Sequence, residues 1–239
     1  PADVKRIGEF ASRHGLRVIE DAALAAGAKD YGEPVGAFAD VAIFSFGAYK
    51  PLGSAGNGGM VVTDDAQSAE GLQLLRGYGR PPAGISSTTV PDFDHVQEGY
   101  NLPLDPLEAA VVEVKLPLLS KWTDRRREIG AIYEDGLKDL GVRIPEFRSE
   151  SDPTFDLYVI QVEDRDRLHA GLQERGIETV LHYIPPVHQQ SVYRGRTLSR
   201  GRLPVTDRLG DELLCLPVAP ELSDDEVHYV IESLRDLLK

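Results

Sequence analysis

The chain of 239 residues is predicted to form an α/β layered domain over residues 1–118 and a smaller α+β domain over residues 119–239. Two observations predict this. In the first half, short apolar runs are separated by helical or irregular crossovers, the pattern of a mainly parallel sheet with flanking helices. From about residue 142 the order becomes strand, helix, strand and, at the end, a strongly amphipathic helix. A content of 41% hydrophobic and 27% charged residues is ordinary for a globular protein and allows one or two cores.

Each element has a local cause. Val4, Ile7, Phe10 and Ala11 fall on one face of a helix over residues 2–14, which His14-Gly15 ends. Leu16–Ile19 reads as a buried strand with Glu20-Asp21 at its end. A small-residue segment from Ala22 to Ala28 and a Tyr31-Gly32 turn lead to a second strand at Val41–Phe46. A glycine-rich stretch, Gly53–Gly59, then precedes a third strand at Met60–Thr63. Residues 80–103, with several prolines, glycines and serines, form a long irregular loop, a kind of segment that commonly carries function. Asp105-Pro106 opens a helix as N-cap and first position, with Leu107, Ala110, Val111 and Val114 as its apolar stripe, and Pro117 interrupts it. The next helix, over residues 121–140, buries Ile129, Ile132, Tyr133, Leu137 and Leu140. Beyond it lie a strand at Leu157–Val162, a helix near 164–175 and a strand at Ile177–Tyr183. Ser223-Asp-Asp-Glu226 is a capping box opening a last helix that buries Val227, Val230, Ile231 and Leu234.

Charge and cysteine content exclude several classes of function. A net charge of −13 repels phosphate backbones and anionic membranes, which argues against a nucleic-acid or membrane partner while leaving room for a small anionic substrate. Cys215 is the single cysteine, so neither an internal disulfide nor a cysteine zinc cluster can form, and a cytoplasmic setting is the natural reading. No apolar run is long enough to span a bilayer as a helix. Because a helix begins almost at Pro1 and runs straight into a strand, further sequence upstream is expected.

Chemistry concentrates in three stretches: Glu20-Asp21-Ala22-Ala23, Ser45-Phe46-Gly47-Ala48-Tyr49-Lys50 and Gly53-Ser54-Ala55-Gly56-Asn57-Gly58-Gly59. The acidic and basic groups stand at the ends of strands, the edge at which open α/β sheets bind ligands. A lysine held between an apolar strand and a glycine turn is partly removed from water, which favours the neutral, nucleophilic amine. A carboxylate at the neighbouring strand end can hold a proton on a ring nitrogen. An amine for a Schiff base and a carboxylate for a pyridinium are what pyridoxal 5′-phosphate (PLP) requires of a protein. Ser45 can donate to the cofactor phosphate. Singly, each signal has an ordinary alternative: Asp21 as a turn residue, Lys50 as a solvated charge, the glycines as a tight turn. No Gly-Lys-Ser/Thr follows them, so they are not a nucleotide phosphate loop of that type.

In order and spacing, these stretches resemble the DegT/DnrJ/StrS group of PLP-dependent sugar aminotransferases, of type I (aspartate-aminotransferase) fold. The likeness continues through Gly99-Tyr100-Asn101, Glu108-Ala109-Ala110, His182-Tyr183, Pro185-Pro186-Val187-His188 and Leu216-Pro217, from Pro1 to Lys239. The resemblance implies the large PLP-binding domain of that fold over residues 1–118, in its C-terminal part, and the small domain over 119–239. It makes Lys50 the Schiff-base lysine, Asp21 the pyridinium partner, Ala23 a packing residue on one ring face and Ser45 a phosphate ligand. Asn101 would reach the phosphate of a neighbouring subunit in a homodimer. His182, Tyr183 and His188 would lie near the substrate or the subunit boundary, or else be buried rings in a turn. The implied reaction carries an amino group from glutamate or glutamine to a keto sugar, typically nucleotide-linked.

Leu24 departs from the family's Gln or His near the ring hydroxyl, and Pro103 departs from an Arg beside the cross-subunit Asn. The resemblance also places upstream of Pro1 a Gly-Ser/Thr phosphate loop and an aromatic residue for the second ring face. Two other readings remain. One is a sugar dehydratase on the same scaffold, against which Lys50 argues because such enzymes commonly replace that lysine by His. The other is a catalytically silent binding module. An NAD-dependent dehydrogenase is disfavoured, as no dinucleotide glycine fingerprint follows an early strand.

Overall fold

The computed structural model describes residues 1–81, 94–193, 196 and 201–239. Half of the irregular loop expected at 80–103, residues 82–93, lies outside the described residues. The chain divides into two compact units, Pro1–Lys121 with Glu150–Thr154 and Trp122–Ser149 with Phe155–Lys239.

In the first unit, α1 (Val4–Arg13) starts where the Asp3 carboxylate accepts the Arg6 N–H, and ends at His14 with Gly15 at φ 65°. Strand β1 is Ile19–Asp21, later than the sequence pattern suggests. Leu16 N–H still closes the helix end on Ala11 O, and Val18 N–H is taken by Asp40 Oδ2 at 2.8 Å, so neither is available for the ladder. A short hairpin, β2 (Lys29–Asp30) and β3 (Glu33–Pro34), turns on Tyr31 and Gly32, both at positive φ, as a two-residue hairpin turn of this hand requires.

β4 (Val41–Ser45) runs parallel to β1, with Asp21 opposite Ile43, and antiparallel to β5 (Gly59–Val62), with Ser45 opposite Gly59. The three-stranded sheet, in the order β1-β4-β5, is therefore mixed. No helix lies between β4 and β5, so the chain returns as a hairpin and not as a crossover.

Helix α2 (Ala66–Arg76), capped by Asp65, has too weak an apolar stripe to stand out in the sequence. Helix α3 (Pro106–Lys115) follows, with Asp105 Oδ1 accepting the Leu107 N–H at 2.8 Å. Pro117 then turns the chain through a 3₁₀ segment, Leu116–Leu118, into α4 (Leu119–Leu137). The outward stripe of α3 is a correction to the sequence reading. Leu107 and Val114 are 78% and 74% exposed, whereas Val112 is buried with Ala26, Phe46 and Leu52. Likewise α1 buries Val4 and Ala11 but leaves Ile7 and Phe10 exposed. Strand β6 (Ser151–Asp152) adds to β2 on the side opposite β3.

The second unit has the larger core. β7 (Tyr158–Gln161) pairs antiparallel with β8 (Leu213–Leu216), and α4, α5 (Arg165–Glu174) and α7 (Asp224–Leu237) contribute Ile129, Tyr133, Leu137, Leu168, Leu172, Val227 and Leu234 to one buried cluster. Burial of each such side chain stabilises by roughly 1.5–3 kcal/mol. The α7 capping box forms as anticipated, Ser223 and Glu226 each bonding the other's backbone N–H. The strand expected at Ile177–Tyr183 does not form. Ile177 N–H returns to Leu172 O to close α5, with Gly176 at φ 73°, and only Val180 pairs with Cys215. Helix α6 (Pro204–Glu212) leads into β8, and the buried Arg165 spans the junction, donating to Gly210 O in the last turn of the helix and to Leu213 O at the start of the strand. No helix of the described residues is long and apolar enough to cross a membrane.

Candidate active site

Parallel pairing of β1 with β4 puts Asp21 and Ser45 at the same C-terminal edge of the sheet. Asp21 is exposed, and its Oδ1 accepts the Ala23 N–H at 3.0 Å, which fixes the carboxylate just past the strand. Ala22 beneath it is buried, while Ala23 is half-buried at the edge.

After Ser45 the chain folds tightly back on itself. Lys50 N–H donates to Gly47 O at 2.9 Å, and Ser54 donates both its N–H and its hydroxyl to Phe46 O. Gly53 is required there, because a Cβ would stand 2.5 Å from Ala48 O. Pro51, Leu52, Gly53 and Ser54 are buried, so the segment is anchored immediately behind Lys50. Lys50 itself is half-buried, and among the described residues its Nζ makes no hydrogen bond or ion pair.

Gly47 leaves a gap between the two groups that matter most. A Cβ at this position would lie 3.6 Å from Ser45 Oγ and 3.7 Å from Lys50 Cγ, so both side chains border the same small space. The Gly47 N–H also points to Ser45 Oγ at 3.3 Å. A hydroxyl and an N–H suit a phosphate, a free amine suits an aldehyde, and an open carboxylate at the neighbouring strand end suits a protonated ring nitrogen. These residues fit PLP.

Asn101 belongs to a different part of this unit. It bridges Gly77 at the end of α2, where Tyr100 N–H bonds Leu75 O and Leu102 N–H bonds Arg76 O. Its side chain is exposed. Gly99 is explained by this docking: a Cβ on it would lie 2.3 Å from Gly79 N.

His182, Tyr183 and His188 lie in the second unit. All three line an open cavity of about 740 Å³ that Tyr193 and Leu209 also border. The His182 and Tyr183 rings are 4.6 Å apart. His188 Nε2 meets Asp207 Oδ1 at 2.6 Å, and this contact, followed by the Gln189 amide, holds the Asp207 carboxyl below its ordinary range. The Leu216-Pro217 stretch has a structural use, since Pro217 O accepts the Tyr133 hydroxyl at 2.8 Å. Burial raises the Tyr133 phenol well above its usual value and pushes Tyr158 up to about 12, so neither is poised for proton transfer near neutrality. Burial likewise raises the Cys215 thiol, which makes it a poor nucleophile.

Two contacts at this edge escape a sequence reading. Glu108 Oε2 accepts the Gly56 N–H at 3.0 Å, and Lys115 Nζ donates to Gly53 O at 2.6 Å. Their separation by two turns of one helix was the available signal, but nothing local says what they face.

Comparison with known proteins agrees in one direction. Residues 1–235 match the DegT/DnrJ/EryC1/StrS aminotransferase family. The chain is 38% identical, over 99% of its length and 60% of the relative's, to a dTDP-3-amino-3,4,6-trideoxy-alpha-D-glucose transaminase of Streptomyces venezuelae. It is 35% identical to a UDP-N-acetyl-3-dehydro-alpha-D-glucosamine 3-aminotransferase of Acidithiobacillus ferrooxidans, over 100% of its length and 62% of the relative's. Among solved structures, S. venezuelae DesV in complex with a ketimine intermediate superposes with a TM-score of 0.90 at 38% identity, covering 100% of this chain and 62% of that one. The chain thus spans about three-fifths of the length of the relatives it matches. By sequence and by fold, the chain belongs to the DegT/DnrJ/EryC1/StrS aminotransferase family.

Proposed function

We propose that this chain carries the lysine-bearing edge of a PLP-dependent aminotransferase that moves an amino group from glutamate or glutamine onto a nucleotide-linked keto sugar. The observation carrying this reading is the space at Gly47, bordered by Ser45 Oγ and Lys50 Cγ at the sheet edge that Asp21 shares. Relatives named for dTDP- and UDP-linked amino sugars support the substrate class.

When bound, PLP supplies an aldehyde carbon for an amine and a pyridinium ring that withdraws electrons from the carbon being deprotonated. Lys50 is the residue whose Nζ would hold the cofactor through that carbon. With its Nζ free, Lys50 would serve as general base and then general acid for the proton moved at the substrate carbon. Asp21 would pair with the ring nitrogen and favour its protonated form, Ser45 would donate to the phosphate, and Ala23 would pack on one ring face. Asn101 reaches the phosphate of a second copy, so the active form is a homodimer; the exposed apolar face of α3 gives such a copy something to cover. His182, Tyr183 and His188 border the sugar or the subunit boundary. Cys215, single and buried, accords with a cytoplasmic setting.

The test is covalent capture. Incubation with PLP, borohydride reduction and peptide mapping are expected to place the label on Lys50, and Lys50→Ala is expected to lose both the label and turnover. A Lys50→Ala protein that still transaminates refutes the assignment. Amino-sugar product, as against deoxy-sugar product, separates transfer from dehydration.

A further inference from the structure

We infer that Glu108 and Lys115 are positioning residues for Lys50: from the inner face of α3 they clamp the turn that sets where the lysine amine stands. The inference rests on Lys50 being the cofactor lysine.

Helix α3 would be expected to turn its most apolar stripe inward, and it does not. Leu107 and Val114 face out, while Glu108, Val112 and Lys115 share the inner face. Val112 is the apolar contact in the cluster with Ala26, Phe46 and Leu52, and a carboxylate and an ammonium lie one on each side of it along the helix.

Both charged groups contact backbone atoms of one short stretch. Lys115 Nζ donates to Gly53 O at 2.6 Å and Glu108 Oε2 accepts from Gly56 N–H at 3.0 Å. A charge-assisted bond of this kind is stronger than a neutral one. The stretch from Gly47 to Gly53 otherwise closes on itself and on Phe46 O. Among the described residues, these two are the side chains of α3 that hydrogen-bond to residues 47–56, beside the local contact of Gly47 N–H with Ser45 Oγ and the packing of Leu52 on Phe46 and Val112. The carboxylate packs closely on this glycine, since a Cβ at Gly56 would lie 2.8 Å from Glu108 Oε1. Lys50 sits three residues before Gly53. A lysine that must let go of the cofactor and recapture it in every cycle needs a backbone that does not relax in between, and the clamp supplies that constraint.

The test compares Glu108→Ala, Lys115→Met and the conservative Glu108→Gln in the full-length protein. The readouts are the rate of borohydride-trappable PLP labelling of Lys50, amide hydrogen exchange over residues 47–56, and thermal unfolding. Glu108→Ala and Lys115→Met are expected to speed exchange in that segment and slow labelling about tenfold or more, the scale at which small misplacements cost rate. A fall in kcat with KM for the amino donor little changed is expected alongside. Glu108→Gln keeps an acceptor for Gly56 N–H and is expected to restore the labelling rate. Wild-type labelling rates in both disruptive variants, with the wild-type protein itself labelled at Lys50, overturn the clamp and leave the function reading intact. Absence of label on wild-type Lys50 overturns that reading, and the positioning role with it. Equal slowing in Glu108→Gln and Glu108→Ala, with unfolding lowered in both, shows a merely structural carboxylate and also overturns the clamp.

Discussion

The two units use apolar residues in opposite ways. In the second unit, the faces marked by helical periodicity are the faces that bury: Ile129, Tyr133 and Leu137 on α4, and Val227, Val230, Ile231 and Leu234 on α7. In the first unit, α3 turns Leu107 and Val114 to the outside and spends its inner face on Glu108 and Lys115. Strand β1 shows the same habit, with Ile19 70% exposed. Periodicity shows that a helix has an apolar side, but not whether that side faces the chain's own core. In the unit that carries Lys50, the interior around the loop combines a small apolar cluster of Phe46, Leu52 and Val112 with glycines and backbone-directed charges, while several other large apolar side chains, Leu107, Val114 and Ile19 among them, lie on the surface.

The sharpest test of this contrast is a truncation in the core of the second unit. Leu168 is fully buried on α5, and Leu168→Ala is expected to lower unfolding free energy by about 2–5 kcal/mol, the transfer loss plus the cavity left behind. Chemical denaturation followed by circular dichroism measures it. A loss below about 1 kcal/mol would mean that this core can collapse around the gap, and the contrast would lose its first half.

Tyr133→Phe comes next. The ring stays, packed 4.9 Å from Tyr158, but Pro217 O loses its donor inside the core. A cost of about 1 kcal/mol is expected, because a net hydrogen bond is modest while an unmet carbonyl carries a desolvation penalty. Unchanged stability would show that the carbonyl finds another donor.

What could be read in advance follows the same division. Asp105-Pro106 and Ser223 to Glu226 are legible because a cap acts within one turn of its own residue. Asp21, Ser45 and Lys50 are legible as an edge because strand ends are local features, and the register of β1 with β4 lines two of them up. The extended run at Ile177–Tyr183 misleads because its first residue is taken by the end of α5, a choice made by backbone bonds and not by hydrophobicity. Strand β8 was visible only as Leu216-Pro217, since what makes Leu213–Leu216 a strand is pairing with β7 some fifty residues earlier. Glu108 was visible within the Glu108-Ala109-Ala110 stretch, but its contact, like that of Lys115, was hidden for the same reason: their partners, Gly56 and Gly53, are far away in sequence.

A smaller effect tests the outer half of the contrast. Leu107→Ala removes nothing from the core of a single chain, so its cost to folding is expected to stay within about 0.5 kcal/mol. Its effect should appear in association: sedimentation of a Leu107→Ser, Val114→Ser protein is expected to shift toward the monomer. A folding cost matching that of Leu168→Ala would show the stripe covered by the chain itself.

The smallest expected effect concerns the contact between His188, which borders the second unit's cavity, and Asp207. The Asp207 carboxyl is held below its ordinary range first by the His188 ring and then by the Gln189 amide. A carboxyl lowered on folding adds stability that is fully present above its ordinary value, near about 4, and is lost as pH falls through the lowered one. Asp207→Asn keeps an oxygen for both donors but has no charge to lose. At pH 6 the wild type is expected to unfold at a slightly higher temperature than Asp207→Asn, and the gap is expected to close as pH falls through the lowered range of the Asp207 carboxyl. Because the pair is open to solvent, added salt should narrow the gap at pH 6 as well. A gap that widens on acidification would mean that the contact opposes the charged carboxylate, and the sign of the interaction assigned here would be reversed.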